Sequence, residues 1–189
     1  MLVKTFGAAV QGIHATTITI EVNVSQGIRF MLVGLPDNAI KESHERIVSA
    51  IQFCGMKFPH QQVVINMAPA DIRKEGAAYD LPLAIGILAA SGAVLNEELS
   101  DYIIMGELSL DGTLHPIKGI LPIAIKAREE GFKGLIIPKE NAKEAAVVNN
   151  LDVYGANCLL EVINFFNKKG SIEKTVIDTR KEFFEQLNN

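Results

Sequence analysis

The sequence has 189 residues, of which 48% are hydrophobic and 21% charged, with a formal net charge of −4. This length suits one well-buried domain. The mild acidity argues against a dominant nucleic-acid footprint, which normally makes a domain basic. Cys54 and Cys158 lie in apolar helical contexts, which favours free thiols over a disulfide or a metal pair. With no membrane-length apolar run and no signal peptide, we expect a soluble, cytoplasmic domain.

The first third of the chain is predicted to be rich in strands. Apolar residues alternate with small or polar ones over 2–10 and 16–24, and residues 28–33 form a third apolar run. This periodicity is typical of half-buried strands and predicts a β-meander. Asp37 follows a Gly-Leu-Pro break and is the expected N-cap of a helix that runs to about Cys54.

The stretch from 66 to 90 organises the rest of the chain. A strand over 62–67 leads into a loop and then into a helix that is apolar on every side, with Asp80 in the N-cap position. A helix without a polar face is expected to cross the core. The loop RKEGAA (73–78) then lies at a buried helix N-terminus, a usual place for an anion site or an oxyanion hole. A tight connection, in which Gly76 only supplies an unusual backbone angle, explains the same residues.

The second half alternates strands with helices. The predicted elements are a strand at Tyr102–Leu110, a two-residue hairpin turn at Asp111 and Gly112, a helix from Gly119, a strand at Gly134–Pro138, a helix over 142–149 with a capping box from Asn141 to Glu144, a strand over 151–154 and a helix over 158–167. This order predicts an α/β (α+β) sandwich with one mixed sheet and helices mainly on one face.

Few residues suggest chemistry. The sequence contains no GxxxxGK[ST] phosphate loop, no CxxC and no HExxH, so we expect neither a nucleotide nor a metal site in these residues. Glu75 and Asp80 could form an acid–base pair, although capping and salt bridging explain them more simply. His44 lies on an apolar helix stripe without a second ligand at metal spacing, which favours a packed histidine over a ligand or a base.

Three stretches resemble a known family. They are GLPDNAIKESHERIVSAI (34–51), INMAPADIRKEGAAYDLPLAIGILAA (65–90) and GELSLDGTLHPIKGILPIA (106–124). They are similar to the N-terminal domain of the ComM/YifB family, bacterial magnesium-chelatase-like (ChlI-subunit-like) AAA+ ATPases linked to competence and DNA recombination. The resemblance covers roughly residues 1–167. It implies that residues 168–189 are a linker toward an AAA+ module outside this chain, which would hold the ATP and Mg²⁺ and form a homo-oligomeric ring.

The same residues more distantly resemble the proteolytic domain of Lon protease, which implies a Lon-protease-like, ribosomal-protein-like two-layer sandwich. Lon carries a nucleophilic serine in a KDGPSAG loop and a partner lysine in a PIGGLKEK segment. Laid on this chain, RKEGAA places Ala78 at the serine, and PIKGIL (116–121) places Leu121 at the lysine. A methyl group cannot attack a carbonyl and a leucine cannot activate a nucleophile, so the resemblance implies a non-catalytic domain.

Three functions follow as hypotheses: an accessory domain for ring assembly and DNA or partner contact, a residual peptidase, and a structural spacer. For the first, Arg73, Lys74, Gly76 and Lys118 form a candidate ligand or DNA-contact loop. Solvated charges beside Glu75 explain the two basic loop residues more simply. DNA is a candidate partner, but the acidic net charge restricts any such contact to a local surface.

Overall fold

The computed structural model describes residues 1–189 as nine strands and seven α-helices. The strands are β1 (Leu2–Gln11), β2 (His14–Ser25), β3 (Phe30–Val33), β4 (Gln62–Ala68), β5 (Tyr102–Ile104), β6 (Glu107–Leu108), β7 (Leu114–His115), β8 (Gly134–Pro138) and β9 (Asp152–Ala156). The helices are α1 (Asn38–Lys41), α2 (Ser43–Phe53), α3 (Asp80–Ala90), α4 (Ile120–Glu129), α5 (Lys139–Ala145), α6 (Leu159–Phe166) and α7 (Thr179–Leu187). The predicted α/β class with a mixed sheet is confirmed.

One sheet of seven strands has the order β3-β4-β2-β1-β5-β8-β9, and β6 and β7 form a separate ribbon. The pairs β1–β2 and β2–β4 are antiparallel, whereas β3–β4, β1–β5, β5–β8 and β8–β9 are parallel. The predicted β-meander is therefore wrong, because β4 lies between β2 and β3. A parallel pair needs a crossover, and α1 and α2 supply it between β3 and β4.

Helix α3 crosses the core, as predicted, and all 11 of its residues are buried. It lies close against the first two strands. A Cβ added at Gly86 would be 2.8 Å from Val22 Cγ2, and the Thr5 hydroxyl donates a hydrogen bond to the Pro82 carbonyl at 3.0 Å. The glycine therefore permits the close approach of α3 to the sheet.

Helices α4 and α5 lie on the face of the sheet opposite α3. Successive strand residues point to opposite faces, and Thr5 contacts α3 whereas Val10 lies against Gly119 at the start of α4. Beyond α4 this second face is not covered by a helix. Met31 and Val33 on β3 are 40% and 42% exposed there. The sheet thus has helices on both faces at the β8–β9 end and on one face at the β3 end.

The helix predicted from Asp37 is interrupted. Asp37 Oδ1 accepts the Ile40 N–H at 2.9 Å, which confirms the N-cap, but Glu42 separates α1 from α2. The strand predicted over 102–110 is also divided, because β5 stays in the sheet while β6 joins the separate ribbon.

The hairpin between β6 and β7 has a three-residue loop rather than the predicted two-residue turn. The Gly112 N–H donates to Ser109 O at 2.9 Å, and the Ser109 N–H donates to Thr113 O at 2.9 Å. Gly112 has φ of +86°. A tight turn followed by a left-handed glycine is the usual three-residue hairpin.

The capping box predicted from Asn141 is wrong. Helix α5 begins earlier, at Lys139, and the Asn141 side chain makes no cap. Its Oδ1 accepts the Ile117 N–H and its Nδ2 donates to Ile117 O, both at 2.9 Å. A tertiary partner replaces the local one and ties the segment after β7 to α5.

Residues 168–189 first run beside β9 at the edge of the sheet and then form the last helix. The Thr175 N–H donates to Val153 O at 2.8 Å beside β9. Helix α7 follows, capped by Asp178, and it buries no residue. The division of the chain at residue 167 stays a prediction.

Cys54 and Cys158 are free and half-buried, and no helix has the length and apolarity that crossing a bilayer requires.

Candidate functional site

The loop between β4 and α3 is held from the inside by a buried ammonium group. Lys74 is 0% exposed, and its Nζ donates to Gly34 O at 2.6 Å and to Pro69 O. Burial lowers the pKa of Lys74 below its ordinary value. The expectation that Lys74 contributes to a surface patch is wrong, because a carbonyl of the loop after β3 and a carbonyl of its own loop replace water around its charge.

Asp37 joins the same loop to α1. Its Oδ2 accepts the Gly76 N–H at 3.0 Å, and its own N–H donates to Lys74 O at 3.0 Å. Gly76 has φ of +86°, a conformation that glycine adopts without strain. The Gly76 N–H is therefore used within the fold, as the tight-connection interpretation requires.

Asp80 does not cap α3. A 3-10 turn over Ala77–Tyr79 precedes the helix and places Tyr79 at the N-cap. The Asp80 carboxylate accepts from Arg46 Nε at 2.8 Å and Nη2 at 2.9 Å, and from the Leu108 N–H at 3.0 Å. The hydrogen bond to Asp80 raises the pKa of Arg46. These bonds tie together α2, α3 and β6.

Glu75 is not the partner of Asp80, so the acid–base pair does not form. Glu75 Oε1 lies 3.2 Å from Arg73 Nε, and the two side chains are 68% and 70% exposed. Such an exposed ion pair contributes little stability. Arg73 is thus a solvated cation with a partner, as the alternative interpretation of the loop predicted.

A pocket of about 380 Å³ opens beside this loop. We call it the loop pocket; its walls are Ala8, Val10, Glu75–Tyr79, Met105, Glu107, Pro116–Lys118 and Ile123. Among the predicted site residues, Gly76, Ala78 and Lys118 come together here. Leu121 lies in the first turn of α4, packed on the core and outside the pocket lining.

The lining of the loop pocket contains no serine, threonine, cysteine or histidine. Its ionisable groups are Glu75, Glu107, Lys118 and Tyr79. The Tyr79 hydroxyl donates to Ala8 O at 3.2 Å, and burial raises the pKa of Tyr79 far above its usual range. The tyrosine hydroxyl therefore stays protonated, and the pocket offers apolar walls with a few charges for non-covalent contact.

Sequence reasoning missed a contact between Ser109 and His115. The Ser109 hydroxyl contacts His115 Nε2 across the β6–β7 ribbon, and the imidazole is exposed. The three-residue loop sets the register, in which His115 pairs with Glu107. The Asp111 carboxylate on the loop accepts the Thr113 N–H at 2.9 Å. Recognising Gly112 as the left-handed residue would have given this register from the sequence.

No three His, Cys, Asp or Glu side chains come together as a metal site. The expectation that a module outside this chain holds ATP and Mg²⁺ stays a prediction.

Comparison with known proteins places these residues in a family. Residues 20–141 match the family described as subunit ChlI of Mg-chelatase. The competence protein ComM of Haemophilus influenzae is 42% identical over 163 residues, which cover 86% of this chain and 32% of that protein. YifB of Escherichia coli is 38% identical over 167 residues, covering 88% and 33%.

A more distant relative is Lon protease 2 of Bacillus subtilis, 31% identical over 113 residues that cover 59% of this chain and 19% of that protein. The chain spans about a third of the length of ComM and YifB. The resemblance to these proteins and to Lon is thereby confirmed. The match over residues 20–141 shows that the chain belongs to the ChlI family of magnesium-chelatase-like proteins.

Proposed function

We propose that this chain is a non-catalytic N-terminal accessory domain of a magnesium-chelatase-like AAA+ ATPase. The parent would be a ring-forming motor in competence and DNA recombination, with a role in branch migration. The domain would act in ring assembly and in contact with DNA or a protein partner. The observation that carries this proposal is that Ala78 lines the loop pocket; the resemblance to Lon implies that a nucleophilic serine would stand at this position.

The polar groups around the loop pocket support a scaffold role. Lys74, Asp80 and Asp37 are all engaged in hydrogen bonds that join separate elements. A catalytic group must instead be free to meet a substrate and to exchange a proton. These residues fix the shape of the loop, which suits a rigid contact surface.

A residual peptidase is the second candidate, favoured by the contact between Ser109 and His115. A hydroxyl nucleophile needs a base within hydrogen-bond reach and a third group that orients the base. The only hydrogen bond of the His115 ring is the one to Ser109, so no carboxylate orients the imidazole. The accessory role is therefore the better supported of the two.

Deleting residues 1–167 from the parent protein tests the accessory role. We expect the truncated parent to bind ATP but to lose ring assembly or the stimulation of ATP hydrolysis by DNA. Light scattering with ATP and a phosphate-release assay measure these properties. Rings and DNA stimulation that match the intact parent would contradict the proposal and leave a structural spacer.

A further inference from the structure

A second pocket lies at the sheet edge where β3 begins, and it has a volume of about 250 Å³. We call it the aromatic pocket; it is lined in part by Arg29, Phe30, His44, Phe58 and His60. The Phe30 and His44 ring centroids are 4.2 Å apart with planes at 36°. Those of His44 and Phe58 are 5.5 Å apart and nearly perpendicular, at 75°. The three rings form one continuous wall.

This wall is accessible to a ligand. Phe30 and Phe58 are half-buried, and the His44 side chain is 35% exposed. Ile28 at the rim is 95% exposed. The sequence predicts a packed His44, which agrees with its stacking on Phe30. The imidazole is nevertheless partly open to solvent. A partly exposed aromatic cluster presents flat π surfaces to solvent.

The lining of the aromatic pocket contains one permanent cation, Arg29, and no carboxylate. Arg29 and His60 are exposed, and neither makes a side-chain hydrogen bond or ion pair within the chain. Exposed Lys57 adjoins Phe58 in sequence. Glu45, whose Oε1 lies 3.6 Å from His44 Nδ1, is not among the lining residues. The lining thus combines aromatic faces with one unpaired cation, Arg29, and the exposed imidazole of His60.

The other four larger pockets differ in this respect. Each is lined by at least one carboxylate: Glu75 in the loop pocket, and Asp37, Asp101 and Glu161 in the other three. In a chain with a net charge of −4, a pocket whose lining has no carboxylate repels a polyanion less than these four pockets do.

We propose that the aromatic pocket binds one base of a single-stranded nucleic acid. The base stacks on the wall of Phe30, His44 and Phe58, and the adjoining phosphates contact Arg29 and His60. Pockets for drug-sized ligands usually measure ~300–1,000 Å³, so a volume of about 250 Å³ suits a single ring system. Bases stack on protein rings when they are not already stacked in a duplex. The proposal deepens the DNA contact within the proposed function and rests on that part of it.

Fluorescence anisotropy of a labelled oligothymidylate with the 189-residue chain tests this site, starting at low salt. A length of about ten nucleotides lies within known site sizes of ~4–16. Phe58→Leu removes a π face but keeps an apolar side chain, and we expect about ten-fold weaker binding. Phe53→Leu is the matched control, because Phe53 is 72% exposed and outside the pocket; we expect no change.

The salt dependence separates the phosphate contact from stacking. Arg29→Ala should reduce the slope of log K against log [salt] by about 0.7, the value for one phosphate of a single strand. Phe58→Leu should leave that slope unchanged. Arg128→Ala removes an exposed cation on α4 and should change neither affinity nor slope. Circular dichroism melting of each variant confirms that it is folded.

Four results would overturn the proposal: no binding at low salt, equal effects of Arg29→Ala and Arg128→Ala, displacement by polyglutamate at equal charge concentration, and binding of thymidine monophosphate as tight as that of the strand. The last two would assign the pocket to an acidic chain or a free nucleotide. If binding fails while the parent still needs residues 1–167 for ring assembly, the aromatic pocket is refuted and the accessory role stands.

Discussion

The charged side chains on the two sides of the loop between β4 and α3 differ in their burial and in their partners. On the inner side, Lys74 and Asp80 are fully buried, and each has a partner in a distant segment, Gly34 O and Arg46 respectively. On the outer side, Arg73 and Glu75 are 70% and 68% exposed and pair only with each other. Adjacent charged residues in one short stretch therefore have different roles. The inner charges fix the conformation of the loop, whereas the outer ones stay in contact with solvent.

Of the four substitutions considered, Asp80→Ala should reduce the free energy of unfolding most. It would leave the Leu108 N–H without its acceptor and the Arg46 guanidinium with the Ala39 carbonyl alone. Breaking a buried ion pair typically costs ~3–5 kcal/mol, and we expect a loss of this size in the free energy of unfolding, measured with urea. A loss below about 1 kcal/mol would mean that water reaches the pair and that the inner side is not rigid.

Lys74→Met should cause the second-largest loss in the free energy of unfolding. Methionine fills a similar volume but leaves Gly34 O and Pro69 O without their donor. Unpaired buried carbonyls cost ~1–3 kcal/mol, so we expect destabilisation in this range by the same urea assay. A variant as stable as the unmodified chain would show that these carbonyls find water once the ammonium is gone.

Asp37→Ala should have a smaller effect, since the loop keeps Lys74 and Asp80. It removes the cap of α1 and the bond to the Gly76 N–H. Losing an N-cap costs ~0.5–2 kcal/mol. Asp37→Asn keeps the cap and is the matched control. Equal stability of the two variants would contradict a role for the Asp37 side chain.

Arg73→Ala should have the smallest effect, within about 0.5 kcal/mol of the unmodified chain. It should also leave oligothymidylate binding unchanged, because Arg73 is paired with Glu75 and lies outside the aromatic pocket. Urea unfolding and anisotropy together measure this. If Arg73→Ala weakens binding and the aromatic-pocket variants do not, the DNA contact lies at the loop over residues 73–78.

The features that the sequence predicts well depend on local pattern. An all-apolar run can only be a core helix, so α3 follows from its residues. Asp37 caps α1 because its partner, Ile40, is three residues away. Two interpretations fit Gly76 from the sequence, an anion site and a tight connection, and its positive φ agrees with a tight connection.

The features that the sequence does not predict depend on partners far along the chain. Asp80 and Asn141 fit local capping patterns, but their partners are Arg46 and Ile117. A lysine is usually exposed, and the burial of Lys74 depends on the distant carbonyl of Gly34 as well as on Pro69 O in its own loop. Tertiary contacts outweigh local preferences at these positions, because an unpaired buried polar group costs more than a missing cap.

The proposed non-catalytic role of the chain is tested most directly by cleavage of fluorescently labelled casein. The chain is incubated with the substrate beside a Ser109→Ala variant, which removes the one hydroxyl in contact with an imidazole. We predict no release of labelled peptide above buffer from either protein. Cleavage that grows with time and with chain concentration would contradict the account, and its loss in Ser109→Ala would assign it to Ser109 and His115.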